Sequence, residues 1–271
     1  MKKLLILGAS GLIGKALSEE CKGGYEIYGT SSSSVLNIPA ANQYRIQINE
    51  IDKMKDLVQS IKPDAIISCL RGDFHQQLIF HRELALELKN TESKLYYFST
   101  ANVFDGDFSQ YHSELDKPNA TSSYGKFKID CESMLQEILK KRAVILRIPQ
   151  IWGRQSPRME SIKTGIENNQ VAVYSNLECN NLSDTTLAKQ VNYIVENKLT
   201  GIFHLGSVDM MSHELFIKKL VKGLTSKELY FAPNLFQQTN EICYFGLESC
   251  RNDLPDFLQQ TNTELISELI G

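Results

Sequence analysis

The sequence predicts an α/β protein, a doubly wound parallel sheet followed by a smaller mixed α/β lobe. Three observations predict it. Up to Arg147, short apolar runs alternate with longer segments of helical spacing. A glycine-rich turn joins the first run to the first helical segment. After Trp152-Gly153 the alternation loosens, with no linker, repeat or charge block to mark a tethered module. Strands alternating with helices of a dozen or more residues favour right-handed crossovers and a parallel sheet covered on both faces.

Each element follows from its periodicity. The apolar runs 3–7, 25–28, 44–48, 65–69, 94–99 and 143–147 read as buried strands. Helical spacing fills 12–21, 51–61, 76–89 and 124–141; in the last, Phe127, Ile129, Met134, Leu135 and Ile138 share a broad apolar face. Between Tyr28 and Tyr44 there is no helical pattern, and Ser31–Ser34 reads as a loop. Further on, helices are expected over 159–167, 184–195 and 212–224, the last capped by Ser212, and strands over 171–174, 201–205 and 228–231. The expected division is a dinucleotide-binding domain over 1–155 and a small substrate lobe over 156–271, parts of which return to pack on the first. In such folds ligands sit at the carboxyl ends of the parallel strands.

Composition narrows the function. The chain has 271 residues, 42% hydrophobic and 23% charged, which excludes disordered and fibrous classes. A net charge of −3 gives no bulk electrostatic reason to bind nucleic acid or an anionic membrane, so neither is an expected partner. The six cysteines form no Cys-x-x-Cys and the five histidines no ligand spacing, so the expectation is reduced thiols and no metal. Met1-Lys2-Lys3 before Leu4–Leu7 imitates a signal peptide, but Gly8, Ser10, Gly11 and Gly14 interrupt the apolar run; the expected location is the cytoplasm.

Gly8-Ala9-Ser10-Gly11-Leu12-Ile13-Gly14 directly follows the first strand and opens the first helix. Gly8 suits a tight turn, Gly11 a close approach of backbone to a pyrophosphate, and Gly14 close helix–strand packing. The helix N-terminus offers free N–H groups to phosphates. The second strand leads into Gly29-Thr30-Ser31-Ser32-Ser33-Ser34, with no acid to hold a ribose 2′-hydroxyl. Hydroxyls at Thr30, Ser31 and Ser32 accept a 2′-phosphate more readily than a carboxylate does, which favours NADP(H) and leaves NAD(H) open. Asn49 and Glu50, after the third strand, are candidates for the adenine edge.

Tyr124-Gly125-Lys126-Phe127-Lys128 contains Tyr-x-x-x-Lys, a pattern expected about once by chance in such a chain. Context gives it weight. The pair shares one face at the start of a long helix, and the strand before carries Ser99-Thr100 at its carboxyl end. Carbonyl reduction needs this set, because hydride delivery puts negative charge on the carbonyl oxygen. Tyr124 is the candidate proton donor, Lys128 the cation that favours its phenolate while holding the nicotinamide ribose, and Thr100 the group that polarises the carbonyl. Arg154 and Arg158, after the sixth strand, suit a substrate diphosphate. Pro149 and Gln150 are expected to line the nicotinamide pocket, and His204 to be a satisfied core histidine.

In order along the chain, Gly8–Gly14, the run Tyr97-Phe98-Ser99-Thr100-Ala101-Asn102-Val103-Phe104-Asp105-Gly106, Tyr124–Lys128 and Leu146-Arg147-Ile148-Pro149-Gln150-Ile151-Trp152-Gly153 resemble the extended short-chain dehydrogenase/reductases. The Val-Phe-Asp-Gly ending most resembles the dTDP-4-dehydrorhamnose reductase branch. The resemblance covers 1–155 and continues more faintly through 182–191 and 201–207. It implies a Rossmann-type domain, NADPH or NADH, a nucleotide-sugar substrate, and catalytic Thr100, Tyr124 and Lys128. It also implies cofactor contacts from Cys69, Leu70, Arg71 and Ser99, a substrate contact from Asn102, and it leaves a homodimer open through helices 76–89 and 124–141.

Two departures stand out. Ala101-Asn102 replaces the Asp-Tyr that usually follows the threonine, and the fourth strand ends Ser68-Cys69-Leu70-Arg71 where small residues are usual. Lack of acids after Thr100 argues against a nucleotide-sugar dehydratase. Two other functions remain: a nucleotide-sugar 4-epimerase that retains its NAD, and a non-catalytic NADP-binding regulatory subunit like the beta subunit of methionine adenosyltransferase.

Overall fold

The computed structural model describes all residues, Met1–Gly271. In chain order the strands are β1 (Lys2–Leu7), β2 (Tyr25–Ser31), β3 (Gln43–Arg45), β4 (Ala65–Ser68), β5 (Lys94–Thr100), β6 (Ala143–Ile148), β7 (Gln150–Trp152), β8 (Gln170–Tyr174), β9 (Leu177–Cys179), β10 (Asn181–Ser183), β11 (Gly201–His204), β12 (Met211–Ser212), β13 (Tyr230–Asn234) and β14 (Cys243–Tyr244). The helices are α1 (Leu12–Cys21), α2 (Ile51–Ile61), α3 (Phe74–Leu88), α4 (Ser123–Leu139), α5 (Pro157–Glu167), α6 (Asp184–Glu196), α7 (His213–Leu224) and α8 (Asn262–Ile270).

Seven strands form one parallel sheet in the order β11-β6-β5-β4-β1-β2-β3. The fold is the doubly wound, Rossmann-type sheet. Its strand order reverses between β1 and β4, which opens a crevice at their carboxyl ends. Alternation along β1 divides the interior. Leu4 and Ile6 enter a core with α1 and α6 residues such as Leu17, Leu187 and Val191. Leu5 and Leu7 enter the opposite core with Met54, Phe80, Leu84 and Leu135. Both faces are covered, which is why β1 is apolar from Leu4 to Leu7.

A third core joins Trp152, Met159, Ile162, Val171, Phe216, Leu220 and Leu265 beneath α5, α7 and α8. The chain does not stay in this layer once it enters. From the second half, α6 packs on the α1 side of the sheet and β11 pairs with β6 as its seventh strand.

Several bounds differ from expectation for local reasons. Instead of covering 44–48, β3 stops at Arg45, because the Glu50 carboxylate and N–H close a turn on Gln47 (2.8 and 3.0 Å). Ile46 and Ile48 still pack on the core from that turn. Asp73 caps α3 by accepting from Gln76 N–H (2.9 Å), so the helix opens at Phe74 rather than Gln76. Lys140, at φ +55°, stops α4 before Lys141. The expected strand 228–231 lies instead at Tyr230–Asn234, an edge strand that tolerates Pro233. Ser212 caps α7 as expected, accepting from Leu215 N–H. All six cysteines are free thiols, and no helix is long and apolar enough to cross a membrane.

Candidate active site

At the carboxyl ends of β1, β2 and β4 lies a cavity of about 770 Å³ floored by the glycine turn. Gly8 has φ +79°, and a Cβ there would come within 3.0 Å of the Cys69 carbonyl oxygen. A Cβ on Gly14 would fall 2.4 Å from the Gly8 carbonyl oxygen, so strand and helix touch through it. Gly11 differs: its Cβ would meet only the Gly8 oxygen at 3.5 Å, an ordinary contact. No internal packing demands glycine at position 11. Its bare backbone faces the cavity, where a ligand's phosphates approach a helix N-terminus.

Of the residues expected to hold a cofactor, Gly8, Ser10, Gly11, Leu12, Ile13, Gly14, Thr30, Ser31, Ser32, Cys69, Leu70 and Arg71 all line this cavity. Asn49 and Glu50 do not. Glu50 is turned back to close the Gln47 turn, and Ile46, Gln47 and Ile48 take the wall instead. The hydroxyls divide likewise. Thr30 Oγ1 accepts from Gly8 N–H (3.1 Å) and Ser31 Oγ donates to the Ser34 carbonyl (2.5 Å), so Ser32 is the one left outward.

A second cavity, about 280 Å³, adjoins the first and shares Leu12, Ile13, Arg71, Ile151 and Arg158 with it. Ser99, Thr100, Asn102, Tyr124, Pro149 and Gln150 line it together, with Asn180 and Phe245, which sequence patterns did not single out. Thr100 ends β5 and caps the next turn, accepting from Asn102 N–H (3.2 Å) and donating to Asn102 Oδ1 (3.0 Å). A carbonyl that takes the Thr100 proton must therefore displace the Asn102 amide oxygen. Ser99 Oγ, on a residue 2% exposed, bonds to no protein group, which fits a polar ligand atom against this wall.

Tyr124 stands in the first turn of α4, 36% exposed. Desolvation raises its phenol's pKa, while the Thr100 hydroxyl and the Arg71 guanidinium pull it down. Lys128, one turn on, is 6% exposed. Its ammonium donates to the Phe98 carbonyl (2.8 Å) and lies 4.5 Å from the Tyr97 ring centre but 5.9 Å from that of Tyr124. Burial pushes its pKa down to about 8. Arg71, at the position where the fourth strand departs from its usual small residues, lines the same cavity as Tyr124 and brings a second cation to the phenol.

The start of α4 is fixed by Asp105, whose role the sequence pattern did not show. Its Oδ1 accepts from the Thr121 and Ser122 N–H groups (2.7 and 3.1 Å), its Oδ2 from the Ser122 hydroxyl, and Ser122 caps Gly125 N–H (3.0 Å). A Cβ on Gly125 would sit 2.3 Å from the Asn102 carbonyl oxygen. These contacts set Tyr124 beside Thr100. Lower in the helix, Glu132 pairs with Arg147 of β6 (2.7 and 3.1 Å), and Arg147 reaches His204 Nε2 (3.2 Å). His204 is a satisfied core histidine, as expected.

Arg158 projects from α5 into both cavities, bonded to Gln150 Oε1 (3.1 Å). Arg154 does not join it: its guanidinium donates to the Glu268 carbonyl (2.9 Å), outside both linings. No three His, Cys, Asp or Glu side chains are placed to hold a metal. A larger cavity, about 1000 Å³, lies at the amino ends of the strands, where Lys94 donates to the Lys198 carbonyl (2.5 Å).

A family model described as the RmlD substrate binding domain matches residues 72–240, more than half of the chain. The chain belongs to this family. The RmlD match takes in Thr100, Tyr124, Lys128 and Arg158, while the glycine turn precedes it. Among curated proteins, methionine adenosyltransferase 2 subunit beta of Danio rerio is 27% identical over 78% of this chain and 70% of its own length. The Xenopus tropicalis subunit is 29% identical, over 60% of this chain and about half (51%) of its own. A dTDP-4-keto-6-deoxy-D-glucose reductase of Streptomyces niveus is 23% identical over 74% of this chain and 71% of its own. Solved structures share the fold. A dTDP-4-dehydrorhamnose reductase from Clostridium acetobutylicum aligns with TM-score 0.81 at 21% identity, covering 98% of both chains. One from Bacillus anthracis, in complex with NADP, gives 0.79 at 23%, covering 99% and 98%. Bordetella bronchiseptica WbmH, in complex with NAD+, gives 0.84 at 18%, covering 100% and 96%.

Proposed function

We propose that this RmlD-family chain is a nicotinamide-dependent reductase of a keto group on a nucleotide-activated deoxysugar. The observation that carries the reading is the meeting of Thr100, Tyr124 and the unpartnered Ser99 hydroxyl in a small cavity that opens into the glycine-turn cavity. The reductases among its relatives and structural neighbours support the same substrate class.

The residues fit a dinucleotide: Gly11 leaves the phosphates room, and no Asp or Glu lines either cavity to repel them. A bound reduced nicotinamide supplies the hydride. Tyr124 gives its proton to the carbonyl oxygen as charge builds there, and Thr100 hydrogen-bonds the same oxygen once Asn102 yields. Arg71 favours the resulting phenolate. Lys128 lines neither cavity; held by the Phe98 carbonyl, its ammonium keeps a positive charge beneath the site, and holding the cofactor ribose is the role we assign it. NADP(H) is the preferred cofactor in this reading, on the acid-free wall and the outward Ser32, with NAD(H) the alternative. Residues 156–271 serve as the substrate lobe and lend α6 and β11 to the cofactor layer.

Tyr124→Phe tests the assignment. Turnover should fall at least about a thousandfold while cofactor affinity stays at the wild-type value; full activity in the variant would remove Tyr124 from the chemistry. A second reading, a regulatory subunit that binds the cofactor without turning it over, is favoured by the methionine adenosyltransferase relatives. It would show as tight NADPH binding, no reduction of any keto-sugar, and co-purification with a methionine adenosyltransferase.

A further inference from the structure

Apart from the two cleft cavities, another of about 340 Å³ lies at the carboxyl end of β11, between α6 and the segment 247–259. It shares no lining residue with either of them. Asn180, on the Tyr124 cavity, and Gly206, on this one, form the dividing wall; a Cβ on Gly206 would fall 2.2 Å from Asn180 Nδ2. The lining is rich in acceptors. Gln190 of α6 is 1% exposed, and its amide nitrogen donates to the Leu258 carbonyl (2.9 Å). That bond turns the amide oxygen the other way, and the oxygen has no protein partner. Gln259 likewise donates its amide nitrogen to the Leu254 carbonyl (3.4 Å). The hydroxyls of Ser207 and Ser249 are already donated, to the Asp209 carbonyl and the Glu114 carboxylate (2.9 and 2.7 Å). The charges point the same way. Arg251 is paired with Asp253 (2.8 Å) and donates to the Thr200 and Ile202 carbonyls (3.1 and 3.2 Å). His204 is buried and neutral. Glu248 forms no ion pair, and neither does Glu114 behind Ser249, which hydrogen bonds from Ser249, Cys250 and His204 keep ionised.

We propose that this cavity binds a small molecule bearing an ammonium group, with the Gln190 amide oxygen as acceptor at its closed end and the Glu248 carboxylate supplying charge at its mouth. A buried acceptor without a partner calls for a donor, and two unneutralised carboxylates call for a cation. An ammonium is both, since it carries donors and no acceptor. A carboxylate or phosphate would instead meet one already neutralised guanidinium against two acids. At about 340 Å³ the cavity falls within the roughly 300–1,000 Å³ that encloses a whole small ligand. The site stands apart from the reductase chemistry and does not rest on it.

The test titrates the full chain calorimetrically with 1,4-diaminobutane, and with butane-1,4-diol and succinate as neutral and anionic counterparts of the same length. The diamine should bind with a Kd of about 1 mM or tighter, and the diol and succinate at least about tenfold more weakly. Glu248→Gln changes an exposed side chain and should melt like wild type while weakening the diamine about tenfold. Gln190→Met keeps the length of the buried side chain but removes its oxygen, and should weaken the diamine by a similar factor. Saturating NADPH should leave the diamine affinity unchanged. Absence of diamine binding to wild type, equal binding of the diol or succinate, or unchanged affinity in Glu248→Gln would each overturn the assignment. Competition by NADPH would place the diamine in the cofactor cleft and overturn it as well.

Discussion

Gly8, Gly11 and Gly14 sit three residues apart and do three different things. Gly8 needs a left-handed backbone, Gly14 a bare surface against the Gly8 carbonyl, and Gly11 neither. Gly11 has φ −73°, which alanine adopts freely. Gly11→Ala should therefore melt like wild type yet bind cofactor at least about tenfold more weakly. Gly14→Ala should lose about 2 kcal/mol or more of stability, since backbone cannot yield to a contact of 2.4 Å. Thermal melts and cofactor titrations of the pair separate the two roles. Lys128 gives a second expectation. With its pKa pushed down to about 8, its charge is present below that pH and lost above it. If the ammonium holds the cofactor, kcat/KM should decline as pH rises through about 8, well before an ordinary lysine titrates near 10; a flat profile up to about pH 9.5 would contradict this. The glycine spacing and the tyrosine–lysine pair were legible in the sequence because each is a local pattern. The Thr30 hydroxyl under Gly8, and Arg71 in the wall beside Tyr124, were not, because both depend on how separate strands align.

Among the elements, α4 carries most of the chemistry and is held at two points. Its start hangs on Asp105 and Ser122; its middle is pinned by the buried Glu132–Arg147 pair. Arg147→Met leaves Glu132 buried without its partner and should cost about 3–5 kcal/mol, whereas a combined apolar replacement of both should recover most of that. Denaturant unfolding of the single and double variants checks it; additive losses would contradict a paired role. Strand 143–147 was readable from its apolar run, but Glu132 lies fifteen residues earlier on a helix, and nothing local connects the two. By contrast α8 was not among the expected helices although its signal is local: Thr261 and Glu264 form a reciprocal capping box, a spacing that marks a helix start. The third strand shows the limit of apolar runs, for Ile46 and Ile48 are core residues in a turn, and burial alone does not make a strand.

For the molecule as a whole, the sequence showed the parallel sheet because buried strands and amphipathic helices leave different periods. It did not fix where the second half returns, since α6 and β11 look alike whether they pack on one layer or the other. That interior also sets the acid limit. His81 and His204 are buried and neutral, with pKa values lowered to about 4 chiefly by burial. The unfolded chain takes up these protons near 6.5, so between about 6.5 and 4 it binds more protons than the fold, and stability is lost as the pH drops. Denaturant unfolding should show about 2–4 kcal/mol less stability at about pH 5 than at about pH 7.5; equal stability would mean the histidines are charged in the fold.

The central claim, a reductase of a nucleotide-linked keto-sugar, is tested most directly by the absorbance of NADPH during incubation with a dTDP-4-keto-6-deoxyhexose. Wild type should oxidise one NADPH per ketone consumed, and Tyr124→Phe, at equal cofactor occupancy, should oxidise essentially none. Stable absorbance with wild-type protein shown to bind both ligands would contradict the claim and leave the chain a binding protein.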